Sequence, residues 1–216
     1  MHSTPPSADT AAAPAPHLEP GDGVPFARSL PWLLLVGGLI GLFASFVLTV
    51  EKFALAADSS YVPTCSINPV LNCGSVMATE QAAVFGFPNS LLGIAGFAVV
   101  AAAGAALLAG ARVARWFWLA LQAGLAAAVV FVHWLIAQSL YVIGALCPYC
   151  MVVWAVTVPL FWYVTVRNLR TARPTSPVQR AAAAATVDHL VPVTVWVLAL
   201  LGLIVHRFWP YWSGLL

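Results

Sequence analysis

Four cysteines are the residues of this chain best suited to redox chemistry, and two of them form the C-x-x-C motif Cys147-Pro148-Tyr149-Cys150. Proline is tolerated in the first turn of a helix, so the motif predicts a helix with Cys147 at its N-cap and Cys150 in its first turn. The two thiols then share a face and can close a disulfide, and the helix dipole stabilises a thiolate there. Such a thiolate is a good leaving group and a ready electron donor. The alternative is two small apolar residues that pack at a helix end.

The other two cysteines, Cys65 and Cys73, lie in one short segment with Asn68, Pro69 and Asn72 between them. These are turn-forming residues, so the two thiols can meet and pair. Taken alone, the pair is explained well by a structural disulfide that staples a loop. Beside the C-x-x-C motif, it can instead relay electrons by thiol–disulfide exchange. A zinc site of four cysteines is a further alternative, although the spacing of Cys65 and Cys73 is loose for a zinc knuckle.

These cysteines must be positioned by helices in a membrane. Hydrophobic residues make up 62% of the chain and charged residues 7%, whereas about a quarter of the residues in a soluble domain are charged. The net charge of +2 and the dispersed arginines do not favour nucleic-acid binding. The uncharged stretch from Arg115 to Arg167 would form a helix more than twice as long as the roughly 30 Å hydrocarbon core. It must therefore fold back once, and we place the break at Gly144 to Pro148.

The remaining uncharged stretches bring the total to five helices. The predicted fold class is an all-α integral membrane protein, in which a four-helix transmembrane bundle is joined by a fifth, peripheral transmembrane helix. Residues 1–28 are rich in Pro, Ala and Ser without apolar periodicity, which is typical of disorder. The predicted organisation is a disordered cytoplasmic tail at 1–28, a four-helix core at 29–168 with an outer loop at 51–87, a cytoplasmic loop at 169–188, and the fifth helix with a short outer tail at 189–216.

The basic residues predict the orientation in the membrane. With five spans, Lys52 and Arg207 fall on one side and the other basic residues on the side of the N-terminus: Arg28, Arg112, Arg115, Arg167, Arg170, Arg173 and Arg180. Basic residues favour the cytoplasm, so we expect a cytoplasmic N-terminus. All four cysteines then lie on the extracytoplasmic side of the plasma membrane, where disulfides persist.

A dithiol at a membrane surface needs a two-electron acceptor. The sequence has no Gly-rich phosphate loop and no zinc-protease motif, nor any motif for haem, flavin or nucleotide. The bilayer itself supplies lipid quinones. Quinone reduction by a thiolate pair requires hydrogen-bond donors to the quinone oxygens and an apolar enclosure.

The chain resembles the bacterial homologues of vitamin K epoxide reductase (VKOR) over about residues 30–168. The DsbB-type quinone reductases carry their C-x-x-C in the first outer loop and fit less well. The resemblance rests, in order, on Cys65-Ser66, Cys73-Gly74-Ser75-Val76, Thr79, Phe87-Pro88-Asn89-Ser90-Leu91-Leu92-Gly93 and Cys147-Pro148-Tyr149-Cys150.

The resemblance implies a role for each cysteine. Cys147 and Cys150 correspond to the active-site pair, with Cys150 nearer the quinone. Cys65 and Cys73 correspond to a shuttle pair, in which Cys73 exchanges with Cys147 and Cys65 meets a partner protein. Many relatives carry a C-terminal thioredoxin-like domain. This sequence has none after the fifth helix, so we expect that partner to be a separate extracytoplasmic polypeptide.

The resemblance also implies two residues that bind the quinone. Asn89 matches an amide that hydrogen-bonds a quinone oxygen, although an ordinary helix cap also explains it. Thr79 matches a hydroxyl on the loop that packs over the site, and it can equally be a loop or cap residue. Trp154 stands where the animal enzymes carry a tyrosine hydroxyl. This departure argues against epoxide reduction as the task of this chain.

Four other polar residues lie in predicted helices. His133 is near the middle of the third helix, where an ionisable residue is a functional candidate. A neutral histidine bonded to a neighbouring helix explains it equally well. Gln138, Ser139 and Tyr141 lie towards the outer end, where they could line a quinone pocket, but interhelical hydrogen bonding is the simpler explanation.

Our leading hypothesis is a membrane thiol:quinone oxidoreductase that supports disulfide bond formation. It would reoxidise a secreted thioredoxin-like (DsbA-type) protein and reduce a lipid quinone such as menaquinone or ubiquinone. One alternative is a non-enzymatic membrane protein whose cysteines form structural disulfides or a metal site. Another is a quinone or epoxide reductase that serves the quinone pool.

Overall fold

The computed structural model describes residues 29–171 and 190–214, and these residues form helices and loops without a β-strand. The predicted tail at 1–28 and most of the predicted loop at 169–188 lie outside this range. The helices are α1 (Leu30–Ala57), α2 (Cys73–Met77), a 3-10 turn (Glu80–Ala83), α3 (Asn89–Leu108), α4 (Arg115–Ala137) with a π-helical extension (Gln138–Ile143), α5 (Pro148–Thr171), α6 (Val191–Arg207) and α7 (Trp209–Ser213).

Four of these helices are long and apolar enough to cross a membrane, namely α1, α3, α4 with its extension, and α5. The predicted all-α membrane bundle is therefore confirmed. Helix α6 is apolar but has only 17 residues. At about 1.5 Å per residue it is slightly shorter than the roughly 30 Å hydrocarbon core.

The break predicted between the third and fourth helices is confirmed. The π-helix ends at Gly144, whose φ of 70° is in the left-handed region that glycine adopts without strain. Helix α5 then begins at Pro148, as predicted. The predicted start of the outer loop at residue 51 is wrong, because α1 continues to Ala57. The residues after Glu51 form helices readily, and the first cluster that favours a turn is Asp58-Ser59-Ser60.

Helices α1 and α3 pack closely because glycines face the partner helix. A Cβ atom added to Gly38 of α1 would lie 2.6 Å from the backbone nitrogen of Ala101. In α3, a Cβ on Gly104 would overlap the backbone of Leu35. Small residues allow such close contact between helices in a membrane, where dispersion contacts must supply much of the packing energy.

The remaining contacts between the helices leave a gap between α3 and α4 on one side of the bundle. Helix α1 also packs on α5, and α5 packs on α4, whereas α3 and α4 hardly touch each other within the described residues. Far from the cysteines, Gln122 of α4 donates to the Thr165 hydroxyl of α5 at 2.8 Å, and the Arg167 guanidinium lies over the Trp118 ring. These polar contacts fix α4 against α5 while the space between α3 and α4 stays open.

Helix α6 packs against the bundle near the end that carries the cysteines, which we call the cysteine end. Trp196 of α6 donates to His133 Nε2 at 2.9 Å, while His133 Nδ1 lies 2.8 Å from the Val129 carbonyl oxygen. His133 thus accepts a hydrogen bond from a neighbouring helix, which is one of its two predicted roles. Arg207 at the end of α6 donates to the Leu140 carbonyl of the π-helix at 2.7 Å.

Candidate active site

The four cysteines meet at the cysteine end of the bundle. Cys65 and Cys73 form a disulfide, and Cys147 and Cys150 are free thiols. The Cys147 sulfur lies 3.0 Å from the Cys73 sulfur. Thiol–disulfide exchange requires a thiolate that reaches one sulfur of a disulfide, so this contact allows exchange between the two pairs. The disulfide itself is covered, because Cys65 is 5% exposed and Cys73 is 0% exposed.

A two-residue backbone pairing brings Cys73 to Cys147. The Leu146 N–H donates to the Val70 carbonyl at 2.7 Å, and the Asn72 N–H donates to the Leu146 carbonyl at 2.8 Å. Cys73 and Cys147 directly follow these paired segments in the chain. The register of the pairing therefore determines which loop cysteine faces the C-x-x-C motif.

Two asparagines shape the loop that carries the disulfide. Asn68 Oδ1 accepts the N–H groups of Val70 and Leu71 at 2.9 and 2.8 Å, which closes a turn. Asn72 Oδ1 accepts the Ser75 N–H at 3.0 Å and so caps α2. The turn and the cap hold the chain on both sides of the pairing.

The C-x-x-C motif has the predicted helix-start geometry. The Met151 N–H donates to the Cys147 carbonyl at 3.0 Å, and the Cys150 N–H points to the Cys147 sulfur at 3.4 Å. The pKa of Cys147 is lowered by a hydrogen bond from the Cys150 thiol and by the N–H groups of Cys150 and Tyr149. Burial and the Glu51 carboxylate act in the opposite direction. Cys147 is therefore the cysteine prepared to react as a thiolate.

Glu51 is a buried carboxylate of α1 close to the cysteines. The sequence pattern predicts this residue to lie in the outer loop at 51–87. It is 5% exposed and accepts hydrogen bonds from the Tyr61 hydroxyl at 3.0 Å and from the Thr64 hydroxyl at 2.6 Å. Thr64 directly precedes Cys65, so Glu51 ties the shuttle disulfide to α1. The signal that could have identified Glu51 is its spacing, because it continues the buried face of Ala44 and Leu48.

A cavity of about 780 Å³ lies between α1, α3, α4 and α5, beneath the loop that precedes α3. Its polar lining is concentrated at the cysteine end, where Cys150, Asn89, Thr79 and Ser90 contribute. Mostly apolar side chains, with Ser45 and Thr157 among them, line the remainder as far as Trp116 near the opposite end. A ligand with a polar head and a long apolar tail fits this distribution, with its head beside Cys150.

Asn89 is the first residue of α3, so it is not the N-cap. Its Oδ1 accepts the Val84 N–H at 3.1 Å and its Nδ2 donates to the Gln81 carbonyl. An amide nitrogen carries two hydrogens, and the second has no partner among residues 29–171 and 190–214. Asn89 therefore anchors the loop and can still donate to a quinone oxygen.

The other predicted quinone contact is less suitable. Thr79 lines the cavity, but its hydroxyl donates to the Val76 carbonyl at 2.8 Å, so its hydrogen is already used. Trp154 is 1% exposed and lines the same cavity. Ser139 also reaches the cavity, whereas Tyr141 is exposed on the outside of the bundle.

Three sulfur atoms, those of Cys65, Cys73 and Cys147, lie within 4.8 Å of one another. Metal ligation requires thiolates, and two of these sulfurs are bonded to each other. A structural zinc site also takes four ligands, and Cys150 is not part of this group. The arrangement suits exchange between sulfurs better than coordination.

Comparison with known proteins identifies the family of this fold and cysteine arrangement. The family model described as Vitamin K epoxide reductase family matches residues 32–165. This range includes all four cysteines and most or all of each of the four helices of spanning length. No curated protein gives a significant match to the chain. The family comprises membrane thiol–disulfide oxidoreductases that work with a quinone. The chain therefore belongs to the vitamin K epoxide reductase family.

Proposed function

We propose that this protein reoxidises a separate thioredoxin-like protein and reduces a lipid quinone, and so generates disulfide bonds. The observation that carries the proposal is the 3.0 Å contact between Cys73 and Cys147. It joins a loop disulfide to a thiol pair whose second member, Cys150, lies on the wall of a large apolar cavity. A path for electrons thus runs from the loop disulfide to a site for a lipid-soluble acceptor.

The electrons move through two exchange reactions. A thiolate of the partner attacks Cys65, which breaks the Cys65–Cys73 bond and releases Cys73 as a thiolate. The second partner thiol then attacks the mixed disulfide, which releases the oxidised partner and leaves Cys65 as a thiol. Cys73 attacks Cys147 in an oxidised Cys147–Cys150 pair, and Cys65 resolves the Cys73–Cys147 bond. The pair Cys147 and Cys150 now holds both electrons.

The reduced pair returns to the disulfide by giving two electrons to the quinone, which takes up two electrons and two protons when it becomes a hydroquinone. The residues around the cavity fit such an acceptor. Cys150 reaches the polar end, and the free N–H of Asn89 is available to a quinone oxygen. The gap between α3 and α4 leaves room for an apolar tail to extend towards lipid.

The arginines support the proposed orientation. Arg112, Arg115, Arg167 and Arg170 lie at the end of the bundle opposite the cysteines, in or beside the ends of α3, α4 and α5. Because basic residues favour the cytoplasm, we assign that end to the cytoplasm and the cysteines to the extracytoplasmic face of the plasma membrane. Disulfides persist in that compartment, and a secreted partner would meet Cys65 there once the segment around Thr64 opens.

The test uses the purified protein in detergent with a reduced thioredoxin-like donor, with and without a soluble short-chain quinone. Oxidation of the donor should require the quinone, and Cys147→Ala or Cys150→Ala should abolish it. A Cys147→Ala variant with full activity would contradict the mechanism. Disulfides that serve only as staples would give no quinone-dependent thiol oxidation in the unmodified protein.

Cys65 separates the shuttle role from the active-site role. Cys65→Ala should block electron transfer from the protein donor but leave quinone reduction by a small dithiol, because such a donor can reduce Cys147–Cys150 directly. The matched control is Cys147→Ala, which should be inactive with both donors. Equal loss of both activities in Cys65→Ala would show that Cys65 is not specific to the partner.

A further inference from the structure

Two cavities at the cysteine end share a wall. The first is the 780 Å³ cavity that we assign to the quinone. The second is a groove of about 600 Å³ on the outside of the loop, lined by residues that include Tyr61, Ser66 and Gly74 next to the shuttle disulfide. Among the described residues, only Lys52 and Met77 line both cavities. The Lys52 ammonium donates to the Met77 carbonyl, so one hydrogen bond closes this wall.

Lys52 is the only lysine of the chain. It is half-buried and forms no ion pair within residues 29–171 and 190–214. A partly buried cation without a carboxylate partner is costly in free energy, so its position calls for an explanation. An ammonium has three donors, and only one of them is used by Met77.

The level of Lys52 along α1 matches the polar end of the quinone cavity. Thr49, one turn earlier in α1, donates to the Ser90 hydroxyl in the first turn of α3 at 2.7 Å. Lys52 is therefore level with the start of α3, where Asn89 lies. The Lys52 side chain thus lines the quinone cavity on one side and the groove on the other.

We propose that Lys52 carries protons from the groove to the quinone, an inference that rests on the proposed function. When Cys147 and Cys150 form their disulfide, two electrons leave the sulfurs, and the thiol protons have passed to water. Lys52 donates one proton from its ammonium to the reduced quinone oxygen, becomes a neutral amine, and takes one proton back from water in the groove. The second oxygen is protonated from water as the hydroquinone leaves.

The test compares Lys52→Met with Lys52→Arg. Arginine keeps the charge and a donor for the Met77 carbonyl but does not give up its proton in proteins. General acid catalysis typically contributes about 100-fold or more, so both variants should lower the rate of quinone reduction by about 100-fold. Ser59→Ala is the control, because Ser59 lines the groove but not the quinone cavity, and its rate should stay within about twofold of wild type.

Two further measurements distinguish slow proton transfer from a structural defect in the variants and from a failure of the proposed function. Reduction of the Cys147–Cys150 disulfide by a dithiol without quinone, followed by acid quench and alkylation, should be unchanged in both variants. Proton uptake during a single turnover, followed with a pH indicator, should become slow together with the quinone step. Tyr61 lines the groove together with Lys52, Cys150 lines the quinone cavity together with it, and Glu51 is its neighbour in the chain. All three ionisable groups stay intact in both variants.

The outcomes distinguish the possible failures. A wild-type rate of quinone reduction in Lys52→Arg would overturn the proton-transfer role, because a side chain that keeps its proton would then be sufficient. This conclusion holds whether or not quinone reduction is slower in Lys52→Met. A slower dithiol step in both variants would also overturn it, because Lys52 would then act on the cysteines. Absence of quinone reduction in the unmodified protein would instead refute the proposed function.

Discussion

The buried Glu51 carboxylate should control how readily the shuttle disulfide is exposed. It accepts hydrogen bonds from Tyr61 and from the hydroxyl and N–H of Thr64, the residue before Cys65. Cys65 and Cys73 are almost inaccessible in this arrangement. A thiol or phosphine that attacks the disulfide therefore needs the segment around Thr64 to open first. Substitution of Glu51 with alanine should make that opening more frequent.

The size of the effect follows from the contacts that are lost. A hydrogen bond to a charged group contributes about 1.5–3 kcal/mol. Thr64 is exposed and Tyr61 is half-buried, so water replaces part of the loss. We therefore expect the closed state to lose about 2 kcal/mol in total. Because 1.4 kcal/mol corresponds to a tenfold change, the open fraction should rise about 30-fold.

The assay is the rate at which a water-soluble phosphine reduces the Cys65–Cys73 disulfide. Cys147→Ser and Cys150→Ser are introduced together, so that the relay cannot contribute. Glu51→Ala should be reduced about 30-fold faster than its parent, and Glu51→Gln, which keeps an acceptor oxygen, should fall between the two. Glu80→Ala removes an exposed carboxylate from the same end of the bundle and serves as the control. A rate for Glu51→Ala within about twofold of the Glu80→Ala rate would refute this role.

Three further predictions concern the quinone, the helix packing and the thiolate. Asn89→Ala should raise the quinone KM about tenfold, because a donor and the loop anchor are both lost; an unchanged KM would remove Asn89 from the site. Gly38→Ala should destabilise the protein by about 2 kcal/mol in thermal unfolding, because the added Cβ would overlap α3. The control Gly202→Ala should leave the stability unchanged, because its Cβ would meet open space. The pKa of Cys147 is lowered, so its thiolate absorbance should persist at pH values below the ordinary thiol range and disappear on further acidification. Titration of Cys147 at the ordinary cysteine pKa would contradict this prediction.

The fold was predictable where single residues determine the backbone. Gly144 and Pro148 mark the turn between α4 and α5, because a left-handed φ and a proline at a helix start are local requirements. The end of α1 differs from the prediction, because the charges at Glu51 and Lys52 indicate a loop whereas the helix continues to Ala57. A charged residue near a membrane surface can continue a helix when a polar group forms a hydrogen bond with it. Here the Thr64 hydroxyl donates to Glu51, and Lys52 donates to the Met77 carbonyl.

The site was predictable in its residues but not in its contacts. The cysteine spacing indicated two pairs, and the family resemblance implied Cys73 as the partner of Cys147. The pairing of Leu71 with Leu146, which brings these sulfurs together, joins distant parts of the chain through backbone atoms. No side-chain pattern encodes such a bridge. The resemblance also implied Thr79, whose hydroxyl donates to the Val76 carbonyl of α2.

The relay itself is tested most directly by counting quinone equivalents in a single turnover. Fully reduced protein contains four thiols, and we predict that it reduces two equivalents of quinone without any external donor. Cys65→Ser together with Cys73→Ser should leave one equivalent. Cys147→Ser should leave none, although Cys65 and Cys73 remain as a reduced pair. One equivalent reduced at the wild-type rate by the Cys147→Ser variant would contradict the account, because the loop pair would then reach the quinone without the membrane pair.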